Sequence, residues 1–189
     1  SQWIFRDVDS QVLPTRGTAT MVALTGGRSV SALDASGYFG RVHARLTAYV
    51  PLPASWQLQL RAEGGQVLAR DNVSVPDALL FRAGGDDSIR GYAHRSIGVE
   101  RDGVTTGGRV LGTGSIELSH PLWPGVPNLL GAVFMDAGDV AERVDQWALK
   151  RGHGVGIRWR SPVGPFRLDI ARGVSTGEWR LHFSVGVSL

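Results

Sequence analysis

From Trp179 to Leu189 every second residue is apolar: Trp179, Leu181, Phe183, Val185, Val187 and Leu189 alternate with Arg180, His182, Ser184, Gly186 and Ser188. A period of two places all six apolar side chains on one face of an extended strand. The same alternation returns along the chain. Between Phe39 and Val50, Val42, Ala44, Leu46, Ala48 and Val50 oppose Arg41, His43, Arg45, Thr47 and Tyr49. Trp56, Leu58, Leu60 and Ala62 oppose Gln57, Gln59, Arg61 and Glu63. From Val110, Ile116 and Leu118 oppose Thr113, Ser115, Glu117 and Ser119, and Leu129, Val133 and Met135 oppose Phe134 and Asp136. Val155, Ile157 and Trp159 oppose Arg158 and Arg160, and Phe166, Leu168 and Ile170 oppose Arg167, Asp169 and Ala171. Thr18 to Thr25 is a further strand and Ser1 to Asp7 the end of one, which makes about eight or nine in series. Turn chemistry fills Asp9 to Gly17, Gly26 to Gly37 reads as loop, Pro121, Pro124, Gly125 and Pro127 build a turn, and 139–150 is a polar loop.

An apolar face on nearly every strand fits either a sandwich, where these faces meet each other, or a transmembrane barrel, where they meet lipid. Strands of about ten residues match a tilted bilayer crossing, against the usual five or six of globular sheets. Short and long connections fall at opposite ends, as in barrels. An apolar strand running to the chain end is one that a soluble sheet normally blunts. The 26 glycines and six tryptophans suit tight turns and bilayer-edge aromatics. We therefore expect an all-β fold, an antiparallel transmembrane β-barrel portion over residues 1–189. Ser1 to Arg6 lacks the zones of a signal peptide, which reads as a mature portion or an excised piece. A charge of +3 with dispersed basic residues gives no reason to expect nucleic acid.

Roughly 38 residues, 71–108, separate two strand patterns, and connections longer than about 12–15 residues are usually functional or disordered. This one contains FRAGGDDSIRGY, Phe81 to Tyr92, with Leu79, Leu80, Phe81, Ile89 and Tyr92 around Arg90. Gly84, Gly85 and Gly91 open backbone conformations closed to other residues. The expectation is a folded loop that delivers Arg90 to a buried partner; the plain alternative is a surface loop with a glycine turn.

FRAGGDDSIRGY resembles the lumen-loop motif of the outer-membrane assembly and two-partner secretion superfamily. Gly114 to Leu118 (GSIEL), Phe134 to Gly138 (FMDAG), Gly154 to Ala171 and Leu13 to Gly17 (LPTRG) are similar to further segments of that family, in the right order. Within it, GGDDSIRGY followed by LGTGSIE is most similar to the branch of TamA, the outer-membrane subunit of the translocation and assembly module. The central insertase and the two-partner secretion transporters are close alternatives. The resemblance implies the C-terminal half of a barrel of about sixteen strands. Eight strands alone barely leave interior room for such a loop, so a wider barrel, or two chains completing one another, is expected.

The resemblance also implies a site. The loop folds inward and docks Arg90, whose planar fork can serve two carboxylates, on a wall of Glu117, Phe134 and Asp136, with Tyr92 against Phe134. Alternatively Glu117 and Asp136 pair with Arg158, Arg160 or Arg167 of neighbouring strands. Gly152, Gly154, Gly156 and Gly164 thin the wall. Trp179, Leu181, Phe183, Val185, Val187 and Leu189 form the lateral seam or simply close the barrel. The implied role is non-enzymatic insertion or translocation of polypeptides at the bacterial outer membrane, with autotransporter-type clients; a passive secretion pore is the alternative. Implied partners are the lipid bilayer, client outer-membrane or secreted polypeptides and a periplasm-spanning protein like TamB. The chain has no cysteine, and His43, His94, His120, His153 and His182 lie on separate elements without a nucleophile elbow or metal-ligand spacing, so no catalytic residue, metal or cofactor is expected.

Overall fold

A computed structural model describes residues 1–30, 36–70, 72–161 and 164–186. Its strands are β1 (Gln2–Val8), β2 (Gly17–Ser29), β3 (Gly37–Pro51), β4 (Gln57–Ala69), β5 (Val99–Arg101), β6 (Val104–Thr106), β7 (Val110–Trp123), β8 (Val126–Ala141), β9 (Lys150–Ser161), β10 (Gly164–Gly173) and β11 (Trp179–Val185). Nine of them form one antiparallel sheet in the order β1-β2-β3-β4-β7-β8-β9-β10-β11, and β5 and β6 make a separate hairpin. The fold class is all-β, part of a barrel. No described helix is long and apolar enough to cross a membrane, which has no bearing on crossing by strands.

Strands run longer than their alternation indicates. Pro121 and Pro127 lie inside β7 and β8, so the turn between these strands contracts to Pro124 and Gly125. A register shift between Pro121 and Trp123 accommodates the proline, which has no N–H for the ladder. Likewise β2 continues to Ser29 and β8 to Ala141, shortening the expected loops at both places. Small residues explain the miss: Gly26, Gly27, Gly138 and Ala141 carry no hydrophobic pattern, yet their backbones still pair. The long connection holds a short 3-10 turn, Asp77–Leu79, and the β5–β6 hairpin, so it is not free of regular structure.

Outward residues of the sheet are apolar and open: Leu46 44%, Ile116 44%, Met135 55%, Ile157 44% and Phe183 63% exposed. Buried apolar residues lie on the other side, where Val67, Leu111 and Val140 of the wall meet Phe81, Ala83, Ile89, Tyr92 and Ile97 of the connection. The core therefore sits inside the curl of the sheet, between wall and loop. Each large apolar side chain buried there contributes about 1.5–3 kcal/mol, and this holds the loop inward before any charge is counted. Val187 and Leu189 of the expected seam lie outside the described residues.

Candidate functional site

Arg90 is 4% exposed and reaches three strands of the wall. Its Nε donates to Asp136 Oδ2 at 2.7 Å and its Nη2 to Asp136 Oδ1 at 2.8 Å, the two-pronged geometry that only a guanidinium offers. Nη1 donates to Glu117 Oε2 at 2.7 Å and to Asp169 Oδ2 at 3.2 Å, and Nη2 also reaches Ser115 Oγ at 3.2 Å. The guanidinium carbon lies 3.4 Å from the centre of the Phe134 ring, a cation–π contact in a desolvated place. The Arg90 backbone N–H adds a bond to Asp136 Oδ2 at 3.0 Å. Asp136 is 0% exposed, so every lone pair it keeps must be answered by protein; Ser115 Oγ supplies another donor at 2.6 Å.

Strand geometry brings these groups together. Ser115 and Asp136 are cross-strand neighbours on β7 and β8, as are Glu117 and Phe134, so all four share one inward patch. Arg158 on β9 lies opposite Arg167 on β10, a like-charge pair that needs acids to bridge it. Arg158 is answered by both Glu117, at 2.7 Å, and Asp169, at 2.5 Å. Glu117 thus serves the loop and the wall at once, so the two pairings weighed from the sequence coexist at Glu117, whereas Asp136 pairs with Arg90. Arg160 and Arg167 do not join: they donate to Gln57 and Gln59 instead. With Arg61, which donates to Ser88 O at 2.9 Å, three guanidiniums face the carboxylates of Glu117, Asp136 and Asp169. Formal charge balances in the patch, which is the condition under which buried ions persist.

Glycines make the approach possible. A Cβ on Gly152 would stand 1.9 Å from the Arg90 carbonyl oxygen, and one on Gly156 1.7 Å from Asp169 Oδ1. Gly91 has φ +89° and lies against the Arg172 backbone, where a Cβ would come within 2.5 Å. Gly84 donates to Ser88 Oγ at 2.7 Å and Gly85 to Ile89 O at 3.2 Å, closing the turn that presents Ile89 and Arg90. Gly164 differs from the expectation: a Cβ there would meet nothing within 4 Å, so no other element approaches its backbone closely. Tyr92 departs from expectation too. Phe134 is taken by Arg90, and the Tyr92 hydroxyl donates to Arg151 O at 3.1 Å and lies 3.2 Å from Ser175 Oγ.

Two contacts escaped the sequence reading. The Gly91 N–H donates to His182 Nε2 at 3.0 Å, which puts the imidazole proton on Nδ1 and ties the loop to β11. Phe81 packs over Gly65 on β4, where a Cβ would lie 2.3 Å from its Cζ, with the Arg41 guanidinium 4.2 Å from the ring centre and His43 at 5.5 Å. Of the expected seam residues, Trp179, Leu181, Phe183 and Val185 all point outward and are 55–67% exposed. Among the described residues, β11 pairs with β10 alone.

A curled antiparallel sheet with an apolar exterior, an inward loop and one arginine clasped by acids of the wall defines an outer-membrane type of β-barrel. The chain belongs to the Omp85 superfamily, whose domain model matches residues 1–188. It is 31% identical over 195 residues to the outer membrane protein assembly factor BamA of Nitratidesulfovibrio vulgaris, covering 94% of this chain and 24% of that protein. It is 30% identical over 181 residues to the chloroplastic outer envelope protein 80 of Arabidopsis thaliana, covering 89% of this chain and 22% of that one. The chain therefore spans less than a quarter of the length of these relatives. The crystal structure of BamA from Haemophilus ducreyi lacking POTRA domains 1–3 superposes with a TM-score of 0.72 at 22% identity, over 98% of this chain and 41% of that one.

Proposed function

We propose that this chain is the barrel portion of a bacterial outer-membrane factor that inserts or translocates polypeptides along the edge at β11, without covalent catalysis. The observation that carries the reading is the occupied lumen. Phe81, Ile89, Arg90 and Tyr92 are each no more than 4% exposed, so the loop fills the space an axial passage would need. A client would then travel beside the wall, where β11, paired among the described residues with β10 alone, would present its other side for strand addition. Membership of the Omp85 superfamily and a relative named as an assembly factor support the same reading. The lipid bilayer and client outer-membrane or secreted polypeptides are the partners it implies.

The branch is a finer matter. GGDDSIRGY with LGTGSIE favours the TamA-like branch, with autotransporter-type clients and a periplasm-spanning partner like TamB, whereas the relative named BamA favours the general insertase. Self-association to complete a barrel belongs to the same proposal. The competing route is a two-partner secretion pore, in which the loop leaves the lumen. Photo-crosslinkers placed at Leu181 and Phe183, and in parallel at Tyr49 and Gln59, separate the routes. Adducts of an unfolded β-barrel client at the β11 positions are expected; adducts confined to Tyr49 and Gln59 would sink the edge route.

A further inference from the structure

The outer face of β9 and β10 changes character at one level. Upward from the short turn, β9 presents Trp159, Ile157 and Val155 and β10 presents Phe166, Leu168 and Ile170. Val155 and Ile170 are direct cross-strand neighbours, 56% and 48% exposed. The next outward pair is His153 and Arg172, both exposed, and Arg151 follows on β9. Trp179 of β11 lies opposite Arg172 and Met135 of β8 opposite His153, so apolar side chains flank the row. At the other end of the same strands the outward residues are aromatic, Trp159 stacked on Phe166 with ring centres 5.2 Å apart.

Among the described residues no acid answers these side chains. Among the described residues, Arg172 donates only to the Gly177 carbonyl, at 3.3 Å, and the side chains of Arg151 and His153 make no hydrogen bond or ion pair. The nearby carboxylates are engaged: Glu178 by Arg180 at 2.6 Å, and Asp139 by the Ala148 N–H at 2.7 Å. Long connections mark this end as the outer one. From Trp159 to Arg151 the strand rises about 26 Å, or about 20 Å of height at a tilt near 40°. His153 and Arg172 stand lower, at about 15 Å, so against an apolar band about 25 Å tall the row lies in the outer leaflet, and the long arginines extend from it toward the headgroups.

We propose that Arg151, His153 and Arg172 form a docking surface for the phosphate-bearing headgroup of an outer-leaflet lipid. Its acyl chains lie on Val155, Ile157, Leu168 and Ile170. Arginine forks match phosphate oxygens in pairs, and the apolar strip directly below supplies what a soluble anion has no use for. This rests on the membrane-spanning reading of the sheet and goes beyond it, because it assigns a headgroup chemistry to one sector of the wall.

The test reconstitutes the full chain in phosphatidylcholine bilayers doped with spin-labelled phosphatidic acid. Boundary enrichment over spin-labelled phosphatidylcholine is the readout. Each arginine near an anionic surface raises local occupancy about fivefold, so enrichment of about five- to twenty-fivefold is expected. Arg151→Gln with Arg172→Gln should bring it below about twofold, while Arg16→Gln, at the other end of the barrel, leaves it intact. An unenriched wild type, enrichment that survives the double substitution, or loss of enrichment to an equal concentration of inorganic phosphate each overturns the proposal. Quenching of the tryptophans by brominated acyl chains in pure phosphatidylcholine reports insertion separately. If the wild type is not quenched, the spanning reading itself has failed. If only the double variant is not quenched, the single substitution Arg172→Gln, expected to cut enrichment about fivefold, decides.

Discussion

Arg90→Ala removes five side-chain hydrogen bonds and the contact with Phe134 at a stroke. The consequence falls on Asp136 above all. Glu117 and Asp169 keep Arg158, whereas Asp136, fully buried, keeps only the residue-90 backbone N–H and the Ser115 hydroxyl. Stripping one member from a buried ion pair costs about 3–5 kcal/mol, and the two hydrogen bonds Asp136 retains place this case near the lower figure. At about 3 kcal/mol the docked loop opens more than a hundred times as often, since each 1.4 kcal/mol is a factor of ten. The sheet itself is held by its ladders and does not depend on this residue. Hydrogen exchange read by mass spectrometry on reconstituted protein isolates the effect. Peptides covering 84–95 should exchange about a hundredfold faster, protease should cut within the loop, and peptides from β7 and β8 should hold their protection. Adding Asp136→Asn to Arg90→Ala removes the orphaned charge and should restore part of the loss, a coupling that only contacting groups display. Unchanged exchange over 84–95, or strictly additive effects in the double variant, would refute the electrostatic account of docking.

Other substitutions probe the fit around that clasp. Gly152→Ala inserts a methyl group where the Arg90 carbonyl lies, 1.9 Å from the new atom, so the loop should shift outward and its exchange rise with the ion pairs chemically intact. Tyr92→Phe removes the bond to the Arg151 carbonyl and should loosen the hairpin end by about 1 kcal/mol, read as a several-fold rise in exchange at Gly91 and Ala93. In the β1–β2 turn, the hydroxyl of Thr15 first, then its backbone N–H, holds the Asp9 carboxyl down to about 2. A depressed carboxylate stabilises above its unfolded value and loses that contribution on acidification. Protection of the Thr15 and Arg16 amides should therefore persist above about pH 4 and fade toward pH 2, and Asp9→Asn should remove the pH dependence.

How much of this was legible in the residues follows from what alternation encodes. Parity tells which side of the wall a residue faces, so Glu117 and Asp136 could be placed inward with Arg90 as their visitor. It does not tell height. Arg158, Asp169 and Ser115 are inward by the same parity, yet their membership depends on the stagger between strands, fixed by ladders such as Ser115 to Asp136 and Asp169 to Gly156. A signal was available in Gly152, Gly154 and Gly156, inward positions opposite Gly173, Ala171 and Asp169. Such a bare strip on two neighbouring strands marks where another backbone comes close. His182 gave no cue, because a histidine on an inward face has many possible neighbours. Pro121 and Pro127 misled the strand ends, since a proline near a strand end costs one ladder bond and not the strand.

The loop braces the wall from flank to flank, with Phe81 on the β3–β4 side and Arg90 on the β7–β10 side, and the bonds from Arg61 to Ser88 O and from Gly91 to His182 add to the span. Mechanically it is a strut across an arch. Within this portion of the wall the strut fixes the distance between the flanks, so the curvature of these strands is set by a cross-member as well as by their own twist. A sideways pull on β11 reaches the foot of that member through the bond between Gly91 and His182, as well as the neighbouring strand through its ladder.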